Sequence, residues 1–140
     1  MSMNVFIDTS VLIDVWAKQE PFYTDSARVW TLAEEGQIKG FISAISFNNT
    51  YYVIRRLRTR QTANRMMVLL RDTFTPMPLD KQILDQAIDS GLDDLEDAIQ
   101  YFSAIRAEAD CIVSRDTSAF PQSDLPVLTP AELLATGSFQ

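Results

Sequence analysis

The sequence predicts an α/β fold built on a parallel sheet. Short apolar runs alternate with longer stretches of helical period, the signature of strands joined by helical crossovers. The length of 140 residues corresponds to a single domain, residues 1–140, near the common domain size. Four glycines and six prolines are scattered as punctuation, without repeats, linkers or low-complexity stretches.

Each element has its own signal. Met3-Asn4-Val5-Phe6-Ile7 reads as a short buried strand ending at Asp8. Ser10 can cap a helix over Val11 to Trp16. Thr24 or Asp25 can cap a second, with Ala27, Trp30, Leu32 and Ala33 on its apolar side and Gly36 as its stop. Ile38 to Ile42 is a second strand. Phe47 to Leu57 is helical, with Phe47, Tyr51, Ile54 and Leu57 near helical spacing, and Thr62 starts another helix carrying Met66, Met67, Leu69 and Leu70. A short strand lies around Phe74 to Met77. Asp80 caps a helix with Ile83, Leu84, Ala87 and Ile88, which Gly91 ends. Asp93 or Asp94 opens a long helix to about Glu108, with an apolar stripe of Leu95, Ala98, Ile99, Phe102 and Ile105. Cys111 to Ser114 and Val127-Leu128 are the last strands. Thr129-Pro130-Ala131-Glu132 is a helix start with Pro at N1 and Glu at N3. About five strands result, and parallel strands take right-handed crossovers.

Composition removes whole classes of chemistry. The chain has no histidine, so imidazole-dependent hydrolysis and histidine zinc sites are excluded. One cysteine, Cys111, cannot build a disulfide framework, a thiolate zinc site or a dithiol motif; within Cys111-Ile112-Val113 it reads as a buried small hydrophobe. The net charge of −7, from 19 acids against 12 bases, argues against a basic coat for nucleic acid. It leaves room for an acidic metal site, where the ion inverts the local charge. The N-terminus has no basic region ahead of its apolar run, and no apolar stretch approaches the ~18 residues of a membrane span. The expectation is a cytoplasmic protein without membrane contact.

Ligands of parallel α/β sheets bind outside the carboxyl ends of the strands. Asp8 follows the first strand and Asp116 follows Val113-Ser114-Arg115. Either could be a plain turn or cap residue. With Ser10 as the cap, Asp8 has no local structural duty. Asp93, Asp94, Glu96 and Asp97 cluster at the start of the long helix. Asp93 with Glu96 fits a capping box, and acids suit a helix N-terminus; Asp97 borders the apolar stripe, and Asp94 shares its side. Two strand-end acids and one helical acid make a carboxylate cage. Its members raise one another's pKa unless a cation lies between them. Oxygen ligands select hard cations, Mg²⁺ or Mn²⁺, which activate water and neutralise phosphoryl oxygens.

These residues carry a family resemblance. Val5-Phe6-Ile7-Asp8-Thr9-Ser10-Val11-Leu12, Ile42-Ser43-Ala44-Ile45-Ser46, Leu95-Glu96-Asp97-Ala98-Ile99-Gln100-Tyr101, and Ala109-Asp110-Cys111-Ile112-Val113-Ser114-Arg115-Asp116 with Phe120 occur in this order. Together they resemble the PIN domains of VapC-type ribonuclease toxins in bacterial toxin–antitoxin pairs. The resemblance implies a three-layer, Rossmann-like α/β/α sandwich around a five-stranded, mainly parallel sheet. It also implies a Mg²⁺- or Mn²⁺-dependent endoribonuclease acting on RNA, an antitoxin partner and a homodimer. The family's metal-binding acids fall on Asp8, Asp97 and Asp116, with Ser10, Ser114 and Thr9 as neighbouring hydroxyls. The usual second acid, about six residues past Ser43, falls on Asn49. The sequence resembles a branch with asparagine there, followed by Tyr-Tyr and basic residues. Glu96 or Asp94 could compensate, and Asn49→Glu is expected to strengthen metal binding.

Six of the twelve bases lie between Arg55 and Arg71: Arg55, Arg56, Arg58, Arg60, Arg65 and Arg71. Arginine forks onto phosphate. Arg55, Arg56, Arg58, Arg60 and Arg115 are therefore the candidate RNA contacts; the strip also suits solvent, or an acidic antitoxin segment. Trp30, Tyr51, Tyr52, Met66 and Met67 suit core or a dimer interface. Two other functions compete. A PIN fold weakened by Asn49 would be an RNA- or protein-binding module. An aspartyl-phosphate phosphatase would need an acid two residues after Asp8, where Ser10 stands.

Overall fold

The computed structural model describes residues 3–137 and Phe139. Five parallel strands form one sheet, β1 (Met3–Ile7), β2 (Ile38–Ser43), β3 (Thr75–Met77), β4 (Cys111–Val113) and β5 (Val127–Leu128), in the order β3-β2-β1-β4-β5. Among the described residues, seven helices connect and cover them: α1 (Thr9–Ala17), α2 (Tyr23–Glu34), α3 (Ala44–Leu57), α4 (Arg60–Thr73), α5 (Lys81–Asp89), α6 (Leu95–Arg106) and α7 (Pro130–Ala135). A 3-10 turn spans Thr117–Ala119. The strand order reverses direction between β1 and β4, the position where open parallel sheets hold their ligands.

Alternation within the strands explains the layers. Val5 and Ile7 join Ile42, Cys111 and Val113 in a core with Leu12, Val29, Trp30, Leu32, Leu70 and Leu133. Phe6, Phe41 and Ile112 face the other way, onto Ala104 and Phe120. Both faces of the sheet are thus buried, which is why Val5-Phe6-Ile7 of β1 is an unbroken apolar run. The Cys111 thiol lies in this core, where burial, with Asp110 adding, pushes its pKa up to about 11. Trp30 is core, edge-on to Trp16 at 4.9 Å and to Phe74 at 4.8 Å. Of the aromatics considered for an interface, Tyr52 is exposed. No helix among the described residues is long and apolar enough to cross a membrane.

Gly40 of β2 is required by close approach. A Cβ there would meet Phe74 ring carbons at 2.5 and 2.9 Å, and Phe74 is held by Trp30. Gly40→Ala is expected to destabilise the fold by about 2 kcal/mol in urea unfolding. An unchanged midpoint would show that the ring has room to move.

Several boundaries differ from the sequence expectation. Helix α1 starts at Thr9, so Asp8, not Ser10, stands at its N-cap, although the Asp8 side chain makes no capping bond. Helix α2 starts at Tyr23 after Phe22, with no side-chain cap from Thr24 or Asp25. Helices α3 and α4 start earlier, because Ser43 and Thr59 accept from Ile45 N and Thr62 N. Asp94, rather than Asp93 with Glu96, caps α6 by accepting from Asp97 N at 2.9 Å, and the helix ends at Arg106. Asp80 caps α5 as expected and also takes Arg106 Nη1 at 2.6 Å. The 3-10 turn has no counterpart in the sequence reading.

The apolar side of α6 is also rotated from the predicted stripe. Ala98, Ile99, Gln100, Ser103 and Ala104 are buried, whereas Leu95 and Ile105 are exposed. The helix is wedged between α5, through Ile83 and Ala87, and the sheet, through Phe6 and Ile112. That double contact turns Gln100 inward. Leu57, Leu69 and Ile88 are likewise exposed, since each of their helices buries a single narrow face.

Candidate active site

The carboxyl ends of β1 and β4 sit side by side, with Ile7 opposite Val113 and Asp8 N bonded to Val113 O at 2.9 Å. The next residues, Asp8 and Ser114, are therefore adjacent. A cleft of about 550 Å³ opens there, and its walls include Asp8, Ser10, Asn49, Glu96, Asp97 and Asp116. Arg56, Asp94 and Arg115 border the same cleft.

Asp8 is 6% exposed and fully engaged. Gln100 Nε2 donates to Oδ1 at 2.7 Å, while Ser114 Oγ and Ser10 Oγ donate to Oδ2 at 2.6 and 2.8 Å. Burying a carboxylate is costly unless its oxygens are hydrogen-bonded, and here both are. Gln100 is itself 1% exposed. Its Oε1 accepts from Thr9 N at 3.0 Å and Thr9 Oγ1 at 3.2 Å, and Thr9 Oγ1 meets Ser46 Oγ at 2.7 Å. A chain of polar side chains thus runs from α3 through α1 and α6 to Asp8. The sequence reading missed Gln100. The available signal was a polar residue on the same turn as the buried positions Ile99 and Ser103, which requires a partner.

The remaining acids differ in their environments. Asp97 has its pKa raised to about 6, first by burial and then by Asp94, Asp8, Glu96 and Asp116. Glu96 is raised by burial, opposed by a hydrogen bond from Asn49, with Asp8 and Asp94 raising it further and Thr9 lowering it. Asp116 is exposed and held below the usual carboxylate range by Ser118, whose hydroxyl and backbone N–H donate to its Oδ1. It therefore also serves as the cap of the 3-10 turn.

The cage expected from sequence is thus an open cleft. Among the described residues, no group of three or more His, Cys, Asp or Glu side chains is set to hold a metal ion. Like charges repel one another, and Asp116 and Asp94 are drawn to their own caps. The donor set nevertheless fits a hard cation: all its ligating groups are oxygens, and mutual repulsion raises Asp97.

Of the candidate arginines, Arg56 and Arg115 border the cleft, while Arg55, Arg58 and Arg60 are exposed residues outside its walls. Arg55 Nη1 and Arg58 Nη1 donate to the backbone carbonyls of Arg58 and Leu57. Arg115 is anchored instead: Nη1 meets Asp14 Oδ1 at 2.7 Å, and the guanidinium lies 4.9 Å from the Phe22 ring centroid. Asp14 is completely buried, and burial raises its pKa against the opposing pull of Arg115 and Ser26. Asp14, too, was absent from the sequence reading, though an acid inside Val11-Leu12-Ile13-Asp14-Val15-Trp16 was visible.

Asn49 lines the cleft together with Glu96. Asn49→Glu would place a carboxylate beside Glu96 in place of a donor. The variant is expected to melt a few degrees lower in chelator, and to gain more from added Mn²⁺ than the parent does. An unchanged response to Mn²⁺ in thermal melts would separate Asn49 from the metal.

The sequence pattern of the PIN domain matches residues 4–118. Ribonuclease VapC1 of Aquifex aeolicus (strain VF5) is 24% identical over 136 residues, covering 94% of this chain and 93% of that protein. Among solved structures, the fold is similar to Mycobacterium tuberculosis VapC20, a sarcin–ricin loop cleaving toxin. The TM-score is 0.67 at 14% identity, covering 84% of this chain and 93% of that one. A toxin–antitoxin complex from Klebsiella pneumoniae gives a TM-score of 0.67 at 19% identity, covering 90% and 97%.

Proposed function

Because this chain belongs to the PIN-domain family, we propose that it is a metal-dependent endoribonuclease, the toxin-type component of a toxin–antitoxin pair. The observation that carries this is the convergence of Asp8, Glu96, Asp97 and Asp116 on one cleft at the sheet's switch point. The likeness to a ribonuclease and to a toxin–antitoxin complex supports the RNA substrate and the antitoxin partner. Cytoplasmic location and a homodimer follow the same reading.

Asp8, Asp97 and Asp116 would hold Mg²⁺ or Mn²⁺, with Glu96 as the carboxylate that replaces the family's usual second acid. The ion, when bound, supplies charge neutralisation at the phosphoryl oxygens and a more acidic water. The chain's own residues do the rest. Gln100, Ser10 and Ser114 fix both Asp8 oxygens, and Asn49 favours the charged form of Glu96 in the cleft wall. Arg56 and Arg115, with Arg55, Arg58 and Arg60 farther out, attract the RNA backbone.

The open carboxylate arrangement and Asn49 favour one competing reading, a binding module with little or no catalysis. Incubating purified protein with RNA in Mn²⁺, Mg²⁺ or chelator separates the two. Cleavage confined to the metal arms is expected. Intact RNA in Mn²⁺, together with no metal binding by calorimetry, would leave only the binding module.

A further inference from the structure

Within the reading of the cleft as an RNA-cleaving site, we propose that Arg115 forms a phosphate subsite for single-stranded RNA, and that Asp14 and Phe22 are its positioning residues.

Three features set Arg115 apart from the arginine strip of α3 and α4. First, it is fixed. Asp14 Oδ1 takes Nη1 at 2.7 Å from a completely buried position, and the Phe22 ring supports the guanidinium at 4.9 Å. An arginine already held in place loses less side-chain entropy on binding than a free one. Second, it remains available. The side chain is 35% exposed, and Asp14 is its only hydrogen-bond partner among the described residues, leaving most of the five guanidinium donors unused. Third, it is registered to the carboxylates. Its backbone N–H donates to Ser10 Oγ at 3.3 Å, and Ser10 donates to Asp8 at 2.8 Å. A phosphate gripped by Arg115 is thereby positioned against Asp8 and Asp116.

Arg115 also forms part of the wall of a second cavity of about 230 Å³, with Pro21, Phe22, Asp25 and Pro130. Arg115 thus lines both the acidic cleft and this second cavity, and a strand running from one toward the other would pass it. Phosphate contacts fix the register of a strand rather than read its sequence. Arg115 accordingly sets where the strand lies, independently of base identity.

The test is binding of a fluorescent single-stranded oligoribonucleotide in Ca²⁺ across a salt series, its integrity checked on a gel. R115Q is expected to weaken binding about tenfold and to lower the slope of log affinity against log salt by about 0.7, one phosphate contact. R115K should restore the slope without the full affinity. D14N frees the guanidinium but keeps its charge, so affinity should fall severalfold at an unchanged slope. Because R115Q leaves Asp14 buried without its cation, the neutral pair D14N/R115Q is measured alongside and should lose affinity and slope as R115Q does. A purely structural Asp14–Arg115 pair would shift melting temperatures and leave the slope unchanged, which overturns the proposal, as does a wild-type chain that binds no RNA. Wild-type protein that binds RNA through Arg115 but fails to cleave it in Mn²⁺ would sink the nuclease reading and leave the subsite standing.

Discussion

Asp8→Asn is expected to lower metal-dependent RNA cleavage by about 1,000-fold or more, some 4 kcal/mol of transition-state stabilisation, while the fold survives. The substitution is close to isosteric. The asparagine oxygen can keep the Gln100 Nε2 bond, and its amide can donate to Ser10 and Ser114, whose hydroxyls accept as well as donate. Unfolding in urea should therefore change by less than about 1 kcal/mol. Gln100→Leu makes the opposite comparison. It orphans Asp8 Oδ1 and Thr9 N together, and should cost roughly 2–3 kcal/mol of stability in addition to activity. Near-normal cleavage by Asp8→Asn would remove Asp8 from the chemistry.

Asp97→Asn is expected to abolish cleavage and yet stabilise the chain at neutral pH. The Asp97 carboxyl titrates near 6 in the folded state instead of near 3.8, through burial and neighbouring carboxylates. Between these values the folded chain holds more protons than the unfolded one. Stability therefore falls as pH rises through this window and stays at the lower level above pH 6. The full shift corresponds to about 3 kcal/mol, which solvent screening at the cleft reduces to about 1 kcal/mol. Urea unfolding at pH 5 and pH 7.5 should show the parent less stable at the higher pH, with much of the difference gone in Asp97→Asn. Added Mn²⁺ should stabilise the parent at pH 7.5 and have little effect on Asp97→Asn. A variant as weak as the parent at pH 7.5 would mean that Asp97 bears no electrostatic strain.

Much of the scaffold was legible because its determinants are local. The β1 run, the Asp80 cap, and the Thr129 box with Pro130 and Glu132 each act within a few residues, and each stands in the structure. Strand-end positions of Asp8 and Asp116 followed from the sheet rule. The misread boundaries at Ser10, Phe47 and Thr62 arose where several small polar residues compete as caps. Composition ranks Ser, Thr, Asp and Asn alike there, and the choice is made by what the preceding strand or helix leaves exposed.

The site divides along the same line. Residue types and their spacing set the inventory of groups: no imidazole, one thiol, and carboxylates placed just after strands. How those carboxylate oxygens are held depends on contacts distant in sequence. Gln100 reaches Asp8 across 92 positions of sequence and Arg115 reaches Asp14 across 101, and no local pattern encodes either pairing. Helix α6 turns Gln100 inward because α5 and the sheet both claim its apolar side. The same rotation places Glu96 and Asp97 in the cleft wall, which Asn49 of α3 also lines. Burial and charge proximity are properties of the assembled layers, and they set which acid is strained, which is held by hydrogen bonds and which arginine is anchored.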